Sequence, residues 1–442
     1  MGTLGRVAVL GGGIGGLAAA HYLRKRAPGA KVLLLEGSER LGGWLWSNRR
    51  PDGAVFELGP RGVRPVGAVG RNTLNLVSEL GLEAEVIPVT YSHVASQNRF
   101  LFVRGQLWKM PAGLSGLLKT TPPFSRPLLP LLLREMFVSK NQRDDESLHA
   151  FVSRRFSSEL ADIAVDSLCR GVFAGDCRRL TERQRGSVVL GMILGPRADV
   201  APGPLAQRAQ RERWAQWSLR RGVQSLPEAL GQSLENSGSV ELLTRATVTG
   251  LEQTGSGWTV REHGFVLSPA LGAVLSSSCA PLVELLQEVS SVSVAVVSLE
   301  YEGSVLPVQG FGHLLPSSED PGVLGVVYDS EFFPQHNSPE RESTRLTVRT
   351  PTRESGVGLD ELVSRAVSAV ARHLGVGQSP GGAAWKCIGL YSFSLSSELM
   401  RGFIKSRLLP LSLVGSSYDG VSVNDVIFSG RTAVEKLFGA EQ

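Results

Sequence analysis

Residues 6–36 read RVAVLGGGIGGLAAAHYLRKRAPGAKVLLLE, and this stretch decides the fold. Arg6 to Leu10 predicts a buried parallel strand, and the glycine-rich turn after it opens a helix through about Lys25. Lys31 to Leu35 predicts a second strand, which runs into Glu36. This order of strand, helix and strand predicts a dinucleotide-binding βαβ unit.

Each glycine of the turn has a predicted task. Gly11 makes the tight turn, Gly13 lets the backbone approach a pyrophosphate, and Gly16 allows close packing of helix on strand. The helix N-terminus offers free N–H groups and partial positive charge to the phosphates. The carboxylate of Glu36 suits ribose hydroxyls and disfavours a 2′-phosphate, so NADP fits poorly.

Composition limits the class of protein. The chain has 442 residues, of which 42% are hydrophobic and 20% charged, close to the globular average. These values exclude wholesale disorder and a polytopic membrane protein, and the length predicts two or three substructures around a large interior. The four cysteines show no zinc-ligand spacing, so we expect reduced thiols and no metal. No window is apolar enough for a membrane span.

One stretch, Arg99 to Arg134, carries six basic and no acidic residues among many apolar ones. Two interpretations stay open. Basic side chains interleaved with apolar ones are typical of a segment that binds an anionic membrane surface. The same pattern is also typical of an ordinary hydrophobic core whose basic side chains reach the solvent. Nucleic acid is a weaker alternative, since no nucleic-acid-binding motif is present. The chain start lacks the pattern of a signal or transit peptide, so we expect any organelle address to be internal.

Further motifs carry a family resemblance. SERLGGW at 38–44, FELGPRGVRP at 56–65 and GSSYDGVSVND at 415–425 resemble the flavin amine oxidase superfamily. Within it the chain is similar to the protoporphyrinogen oxidase family. The additional matching stretches are QNRFLFV at 97–103, DSLCRGVFAGD at 166–176, RWAQWSLRRG at 213–222, SVSVAVVSLEYEG at 291–303 and PVQGFGHLLPSSEDPGVLGVVYDS at 307–330.

The resemblance implies an α/β fold. It consists of a Rossmann-like FAD-binding domain of the amine oxidase type, a mixed-sheet substrate domain and an α-helical membrane-binding domain. The FAD-binding domain is expected at 1–93, 205–275 and 405–442, the membrane-binding domain at 94–204 and the substrate-binding domain at 276–404.

The resemblance also implies one non-covalent FAD per chain. The residues expected to bind it are Gly11, Gly12, Gly13, Ile14, Gly15, Gly16, Glu36, Gly37, Trp44, Gly59, Pro60, Arg61, Gly62, Val248, Val421, Ser422 and Val423.

The family's chemistry is the oxidation of protoporphyrinogen IX to protoporphyrin IX by O2, with release of H2O2, the penultimate step of haem biosynthesis. The flavin does this chemistry, so no catalytic residue beyond it is expected. Arg99 matches the arginine that binds a substrate carboxylate. Leu168, Gly171, Phe311 and Leu314 match the apolar walls, and Arg170 is expected to be a structural ion-pair residue.

The resemblance further implies a homodimer on the intermembrane-space side of the mitochondrial inner membrane. Attachment to the membrane surface is expected to be peripheral, and ferrochelatase is an expected contact.

Departures from the family keep alternatives open. Arg349 stands where the family has an apolar residue near the substrate. Residues 385–407 stand where the family has an I-P-x-Y-x-x-G-H stretch over the flavin. The chain is therefore predicted to be an active oxidase, a shortened or divergent FAD-binding homologue with weak or no turnover, or another flavin amine oxidase.

Overall fold

The computed structural model covers most of the chain. It describes residues 5–111, 116, 118–127, 146–180, 200–254, 257–263, 275, 279–287, 291–352, 358–391 and 396–439.

Helices and strands alternate through these residues. The helices are α1 (Ile14–Arg26), α2 (Gly67–Glu79), α3 (Val94–Gln97), α4 (Leu148–Arg155), α5 (Ser158–Leu160), α6 (Asp166–Phe173), α7 (Pro204–Arg211), α8 (Ser225–Glu235), α9 (Ala280–Gln287), α10 (Asp329–Phe332), α11 (Leu359–Leu374), α12 (Ser396–Ser406) and α13 (Val423–Gly439). Short 3₁₀ turns occupy Glu83–Glu85 and Pro334–His336, and a π turn occupies Ala161–Val165.

The strands are β1 (Arg6–Leu10), β2 (Lys31–Leu35), β3 (Ser47–Arg49), β4 (Val55–Glu57), β5 (Val86–Thr90), β6 (Phe100–Val103), β7 (Gln106–Lys109), β8 (Trp214–Leu219), β9 (Val240–Leu243), β10 (Thr247–Thr254), β11 (Gly257–His263), β12 (Ser291–Glu302), β13 (Gly312–Leu314), β14 (Gly325–Tyr328), β15 (Ser343–Thr352) and β16 (Gly382–Tyr391).

The N-terminal strands form a three-stranded parallel sheet in the order β1-β2-β9, which confirms the predicted βαβ unit. The prediction that β1 is buried was wrong. Val7 and Val9 are only partly buried, and Ala8 and Leu10 are exposed. The physical reason is position: in the described residues β1 is an edge strand with a neighbour on one side only.

The two ends of the chain meet in one unit, because α13 packs along α1. A Cβ on Gly430 in α13 would lie 2.9 Å from the carbonyl oxygen of Gly15, so glycine is needed for this close approach. Gly430 lies in the middle of α13, and its role is packing.

A second, seven-stranded sheet follows the order β16-β12-β15-β14-β13-β6-β7. Only the β13–β6 pair is parallel, so the sheet is mixed, as predicted. One face packs on α11, whose buried residues include Leu362, Ala366 and Val370. The other face turns toward α6 and the N-terminal unit, and it carries Val294, Val296 and Leu324 beside Trp44.

The sequence of Leu411 to Val414 is apolar and typical of a strand. These residues form no strand in the described part of the chain, and Leu413 packs in a cluster with residues of α9 and α12, against which Trp258 of β11 also lies. Helix α8 begins at Ser225, whose hydroxyl accepts a hydrogen bond from Arg49, at 3.2 Å.

The α/β fold with a mixed sheet is thus confirmed, while the domain boundaries stay predictions. The structure adds that β6 and β7, which the sequence analysis assigned to the helical domain, join the large sheet. In the stretch Arg99 to Arg134, the residues outside the described part are 112–115, 117 and 128–134. The described part also leaves out residues 135–145 and 181–199. None of the helices in the described ranges has the length and apolar character needed to cross a membrane.

Candidate cofactor and substrate site

The glycine-rich turn has the predicted geometry. Gly11 adopts a φ of 101°, and its N–H donates to the carbonyl of Leu35, at 2.7 Å, joining the turn to β2. A Cβ on Gly16 would lie 2.0 Å from the carbonyl oxygen of Gly11, so only glycine fits between α1 and the turn. Gly13 is the residue before α1, and a Cβ added there would meet nothing within 4 Å. The turn is therefore closed on the protein side and open at Gly13.

The carboxylate of Glu36 lies under this turn at the end of β2. It accepts from the N–H of Gly12 at 2.6 Å and from the N–H of Ser38 at 2.8 Å, across Gly37. A Cβ on Gly12 would lie 2.6 Å from Leu41. The turn and the acid are therefore locked together, as recognition of a ribose next to a pyrophosphate requires.

The β9–β10 connection approaches the same place. The N–H groups of Ala246 and Arg245 donate to the carbonyls of Glu36 and Ser38, at 2.9 and 2.8 Å. Val248 follows two residues later in β10 and is partly buried. This places Val248, one of the predicted FAD-binding residues, near Glu36 at the end of β2.

Trp44 connects the turn with the large sheet. The N–H of Gly42 donates to the carbonyl of Gly12 at 2.9 Å, and Trp44 packs against Val294 and Val296. A Cβ on Gly59 would lie 1.9 Å from the carbonyl oxygen of Trp44. The close approach of these two segments thus depends on the absence of a side chain at position 59.

The segment Pro60, Arg61 and Gly62 continues from Gly59. Arg61 pairs with Asp329 at 2.6 Å. Asp329 also accepts from Thr347, at 2.6 Å, so Arg61 is held to β15 of the large sheet. Arg61 was predicted to be a cofactor residue. Its partner Asp329 was not predicted, although it lies in the matching stretch at 307–330.

Arg40 was also missed. Its guanidinium donates to the carbonyls of Leu41 and Leu45, at 2.8 and 3.2 Å, and to that of Gly43, and it lies 4.1 Å from the ring centroid of Trp46. These bonds hold the loop between β2 and β3 in place.

The C-terminal segment Val421, Ser422 and Val423 lies at the start of α13. The Ser422 hydroxyl donates to Asp425 at 2.6 Å, and Asn424 donates to the carbonyl of Arg64 at 2.8 Å. The start of α13 is therefore tied to the segment that follows Gly62. Gly15 closes the other side, because a Cβ there would lie 3.0 Å from Val426.

These residues fit a flavin dinucleotide. The open position at Gly13 lies at the N-terminus of a helix of thirteen residues, where anions are stabilised. The N-terminal turn, the 59–62 segment and the start of α13 adjoin one another through the contacts above. Whether each predicted residue touches the cofactor stays a prediction.

Four of the predicted substrate residues form two contacts in the structure. The guanidinium of Arg99 lies 6.0 Å from the ring centroid of Phe311. Its pKa is lowered by partial desolvation and then by the cation of Arg64. A Cβ on Gly171 would lie 2.3 Å from Leu314, so α6 and β13 pack closely there. Leu168, one turn before Gly171, is 50% exposed and so remains available for an apolar contact.

Arg170 holds a loop near this wall. Its guanidinium donates to the backbone carbonyls of Asp320, Pro321 and Val323, at 2.9, 3.1 and 2.9 Å. These contacts support the structural role predicted for Arg170, with backbone carbonyls as its acceptors.

One group of potential metal ligands occurs in the described residues: Asp166, Asp176 and Cys177. Asp166 already accepts from the N–H of Ser317, at 2.7 Å. Burial and the nearby carboxylate of Asp166 raise the pKa of Cys177 to about 12. The thiol is therefore protonated at neutral pH, in a form that binds metal poorly.

Comparison with known proteins shows the family. The model of the family "Flavin containing amine oxidoreductase" matches residues 14–437. The protoporphyrinogen oxidases of Macaca fascicularis and Homo sapiens are each 46% identical over 476 residues, covering 98% of this chain and 98% of theirs. A crystal structure of reduced UDP-galactopyranose mutase shares the fold, with a TM-score of 0.72 and 15% identity over 100% of this chain and 96% of that one.

The geometry of the turn, the acid and the C-terminal helix agrees with these matches, and the cofactor is FAD. The chain belongs to the family of flavin-containing amine oxidoreductases.

Proposed function

We propose that this chain oxidises protoporphyrinogen IX to protoporphyrin IX, with O2 as electron acceptor and H2O2 as second product. This reaction is the penultimate step of haem biosynthesis. The observation that carries the proposal is that the predicted substrate residues meet in two contacts, Arg99 with Phe311 and Gly171 with Leu314. The 46% identity to protoporphyrinogen oxidases over the whole chain supports it.

In this proposal the protein binds and orients the porphyrinogen, and FAD, when bound, would supply the hydride acceptor. Arg99 binds a propionate of the porphyrinogen through charge-assisted hydrogen bonds. Phe311 and Leu314 cover the apolar ring system, and Phe311 stacks on a pyrrole ring. Each of the three two-electron steps removes one hydride and one proton from the substrate. The proton passes to water, and no side chain is assigned to carry it.

Anaerobic titration of the purified protein with protoporphyrinogen IX tests the proposal. We expect the yellow flavin absorbance to bleach on addition of substrate and to return when O2 is admitted. A flavin that dithionite reduces but the porphyrinogen does not would contradict it.

A second candidate is an FAD-binding homologue with weak turnover. Two observations favour it. The side chain of Arg349 reaches α6 beside the apolar wall, where the family has an apolar residue. Residues 385–407 contribute the end of β16 and helix α12, with residues 392–395 outside the described residues.

Turnover measured beside a full-length relative, with FAD occupancy normalised, separates the two candidates. We expect a rate well below that of the relative, because the stretch that covers the flavin there is replaced here. Equal rates would show that residues 385–407 perform the same task.

The place of action is also a proposal. We infer peripheral attachment of a homodimer to the mitochondrial inner membrane, on the intermembrane-space side, with ferrochelatase as a contact. The basic and apolar pattern of Arg99 to Arg134 supports the attachment. Flotation with anionic and neutral vesicles tests it. We expect stronger binding to anionic vesicles that high salt weakens, and equal binding to both, or none, would refute it.

A further inference from the structure

Arg349 occupies an unusual position for a cation. It lies on β15, with Gly325 opposite it on β14 and Val296 opposite it on β12. Its Nη1 donates to the carbonyl of Gly171 in α6, at 2.9 Å, so the side chain reaches across the space between the sheet and α6. Gly171 belongs to the predicted substrate wall. Arg349 therefore lies on the same wall.

Two other residues on the same face of β15, Arg345 and Thr347, have several polar partners each. Arg345 is fully buried and donates to the carbonyls of Val55 and Phe333 and to Asn337, at 2.6, 3.1 and 2.8 Å. Thr347 donates to the carboxylate of Asp329. Both side chains are therefore well supplied with partners.

Arg349 lies on the same strand as Arg345 and Thr347 and has fewer polar partners than they have. Within the described ranges it forms an ion pair with no carboxylate, and one backbone carbonyl accepts from it. Burial and the nearby cation of Arg61 lower its pKa to about 10, so it remains charged at neutral pH. A partly buried cation without a counter-charge is unfavourable, and an anionic ligand would relieve this cost.

The register of the sheet relates this cation to Arg99. Arg349 faces Gly325, Gly325 faces Leu314, and Leu314 faces Leu101 on β6. Directly paired residues project to the same face, and Arg99 precedes Leu101 by two residues, so all five positions share one face. With strands about 4.8 Å apart and a rise of about 3.3 Å per residue, the backbones of the two arginines lie about 16 Å apart.

Leu314 lies between the two arginines. Its side chain leans over Gly325 and Gly171, since a Cβ on either glycine would come within 2.7 and 2.3 Å of it. The surface thus has a cation at each end and an apolar centre. An apolar ring with carboxylates on opposite edges matches that pattern.

We propose that Arg349 is a second carboxylate-binding residue, which receives a carboxylate on the edge of a cyclic tetrapyrrole opposite to the edge that Arg99 holds. The inference rests on the proposed function. The two propionates of protoporphyrinogen IX lie side by side on one edge, so that substrate uses Arg99 alone. A porphyrinogen with a propionate on each pyrrole ring uses both arginines, and the chain thereby accepts a tetracarboxylate substrate class.

The test is equilibrium binding of two oxidised porphyrins to the FAD-loaded protein, followed by porphyrin fluorescence. Protoporphyrin IX carries two propionates and coproporphyrin III carries four. Arg349→Met removes the charge and keeps an apolar chain of similar length, Arg349→Lys keeps the charge, and Arg365→Met on the exposed side of α11 is the control. FAD content and thermal unfolding are measured for each protein.

We expect Arg349→Met to weaken coproporphyrin III binding roughly tenfold or more, as for a lost charge-assisted hydrogen bond. Its effect on protoporphyrin IX should stay under about twofold, Arg349→Lys should restore part of the loss, and the control should change neither. Equal loss for both porphyrins, or for neither, would overturn the inference. So would a change in flavin reduction potential without a change in porphyrin binding, which would assign the cation to the cofactor. If the unaltered protein binds neither porphyrin, the proposed function itself is wrong.

Discussion

Gly13 and Gly16 lie three residues apart and should respond to substitution in opposite ways. Gly13 has a φ of −67° and a ψ of 172°, which any residue adopts, and a Cβ there meets nothing within 4 Å. The substitution Gly13→Val therefore leaves the fold of the apoprotein intact. Its side chain would point into the space expected for the pyrophosphate, so the FAD affinity should fall.

The size of the loss follows from the bonds displaced. Each charge-assisted hydrogen bond between a backbone N–H and a phosphate oxygen contributes about 1.5–3 kcal/mol, so losing one or two weakens FAD binding by a factor between about ten and about twenty thousand. Gly16→Ala acts differently. Its Cβ would lie 2.0 Å from the carbonyl oxygen of Gly11, and such overpacking costs about 1–3 kcal/mol of unfolding free energy.

Two measurements separate these effects: the melting temperature of the apoprotein, and the Kd for FAD from quenching of flavin fluorescence. Gly29→Ala is a matched control, since Gly29 follows α1 in the same unit and a Cβ there also meets nothing within 4 Å. We expect Gly13→Val to change only the Kd, Gly16→Ala to lower the melting temperature, and the control to change neither. An unchanged Kd in Gly13→Val would refute the assignment of the open space to the cofactor.

Three further predictions concern the substrate, the cofactor and pH. Arg99→Ala should weaken apparent substrate affinity about tenfold to a hundredfold with FAD content unchanged, and unaltered kinetics would make Arg99 an ordinary surface residue. Acid precipitation should release all the flavin, since the link is non-covalent, and yellow precipitated protein would contradict this. Burial raises the pKa of Glu57 to about 7, so between about pH 4.5 and 7 the folded state keeps a proton that the unfolded chain loses. The contribution of Glu57 to stability therefore falls as pH rises through that window, by up to about 3 kcal/mol. Urea unfolding at pH 5 and pH 7.5 should show that the free energy of unfolding decreases less in Glu57→Gln than in the unaltered protein. An identical decrease in both proteins would contradict the raised pKa of Glu57.

The N-terminal unit could be predicted from sequence because its constraints are local. Gly11, Gly16 and Glu36 act within a single strand–helix–strand segment, and each has a distinctive residue type at a fixed spacing. The start of α13 could be predicted only through its family motif. Its contact with the turn joins residues from opposite ends of the chain, and no periodicity in the sequence encodes that contact.

The errors share a cause, which is that burial and partners depend on the tertiary structure. Leu411 to Val414 have the composition of a strand, yet their apolar side chains pack on helices. The partner of Arg61 could not be found, because Asp329 is remote in sequence. Arg349 was recognised as a departure from the family, but its reach to Gly171 depends on the register of β15 against β14.

Arg345 has a consequence for how this protein can change in evolution. Its guanidinium crosses from the large sheet to the carbonyl of Val55 in the β3–β4 hairpin, and a backbone carbonyl can be supplied only by a correctly placed main chain. The hairpin and the sheet therefore cannot be exchanged between homologues as independent modules. A chimaera that joins this N-terminal segment to a foreign sheet would leave either a buried guanidinium or a buried carbonyl without its partner, and we expect such hybrids to unfold in one cooperative step at a lower temperature than either parent.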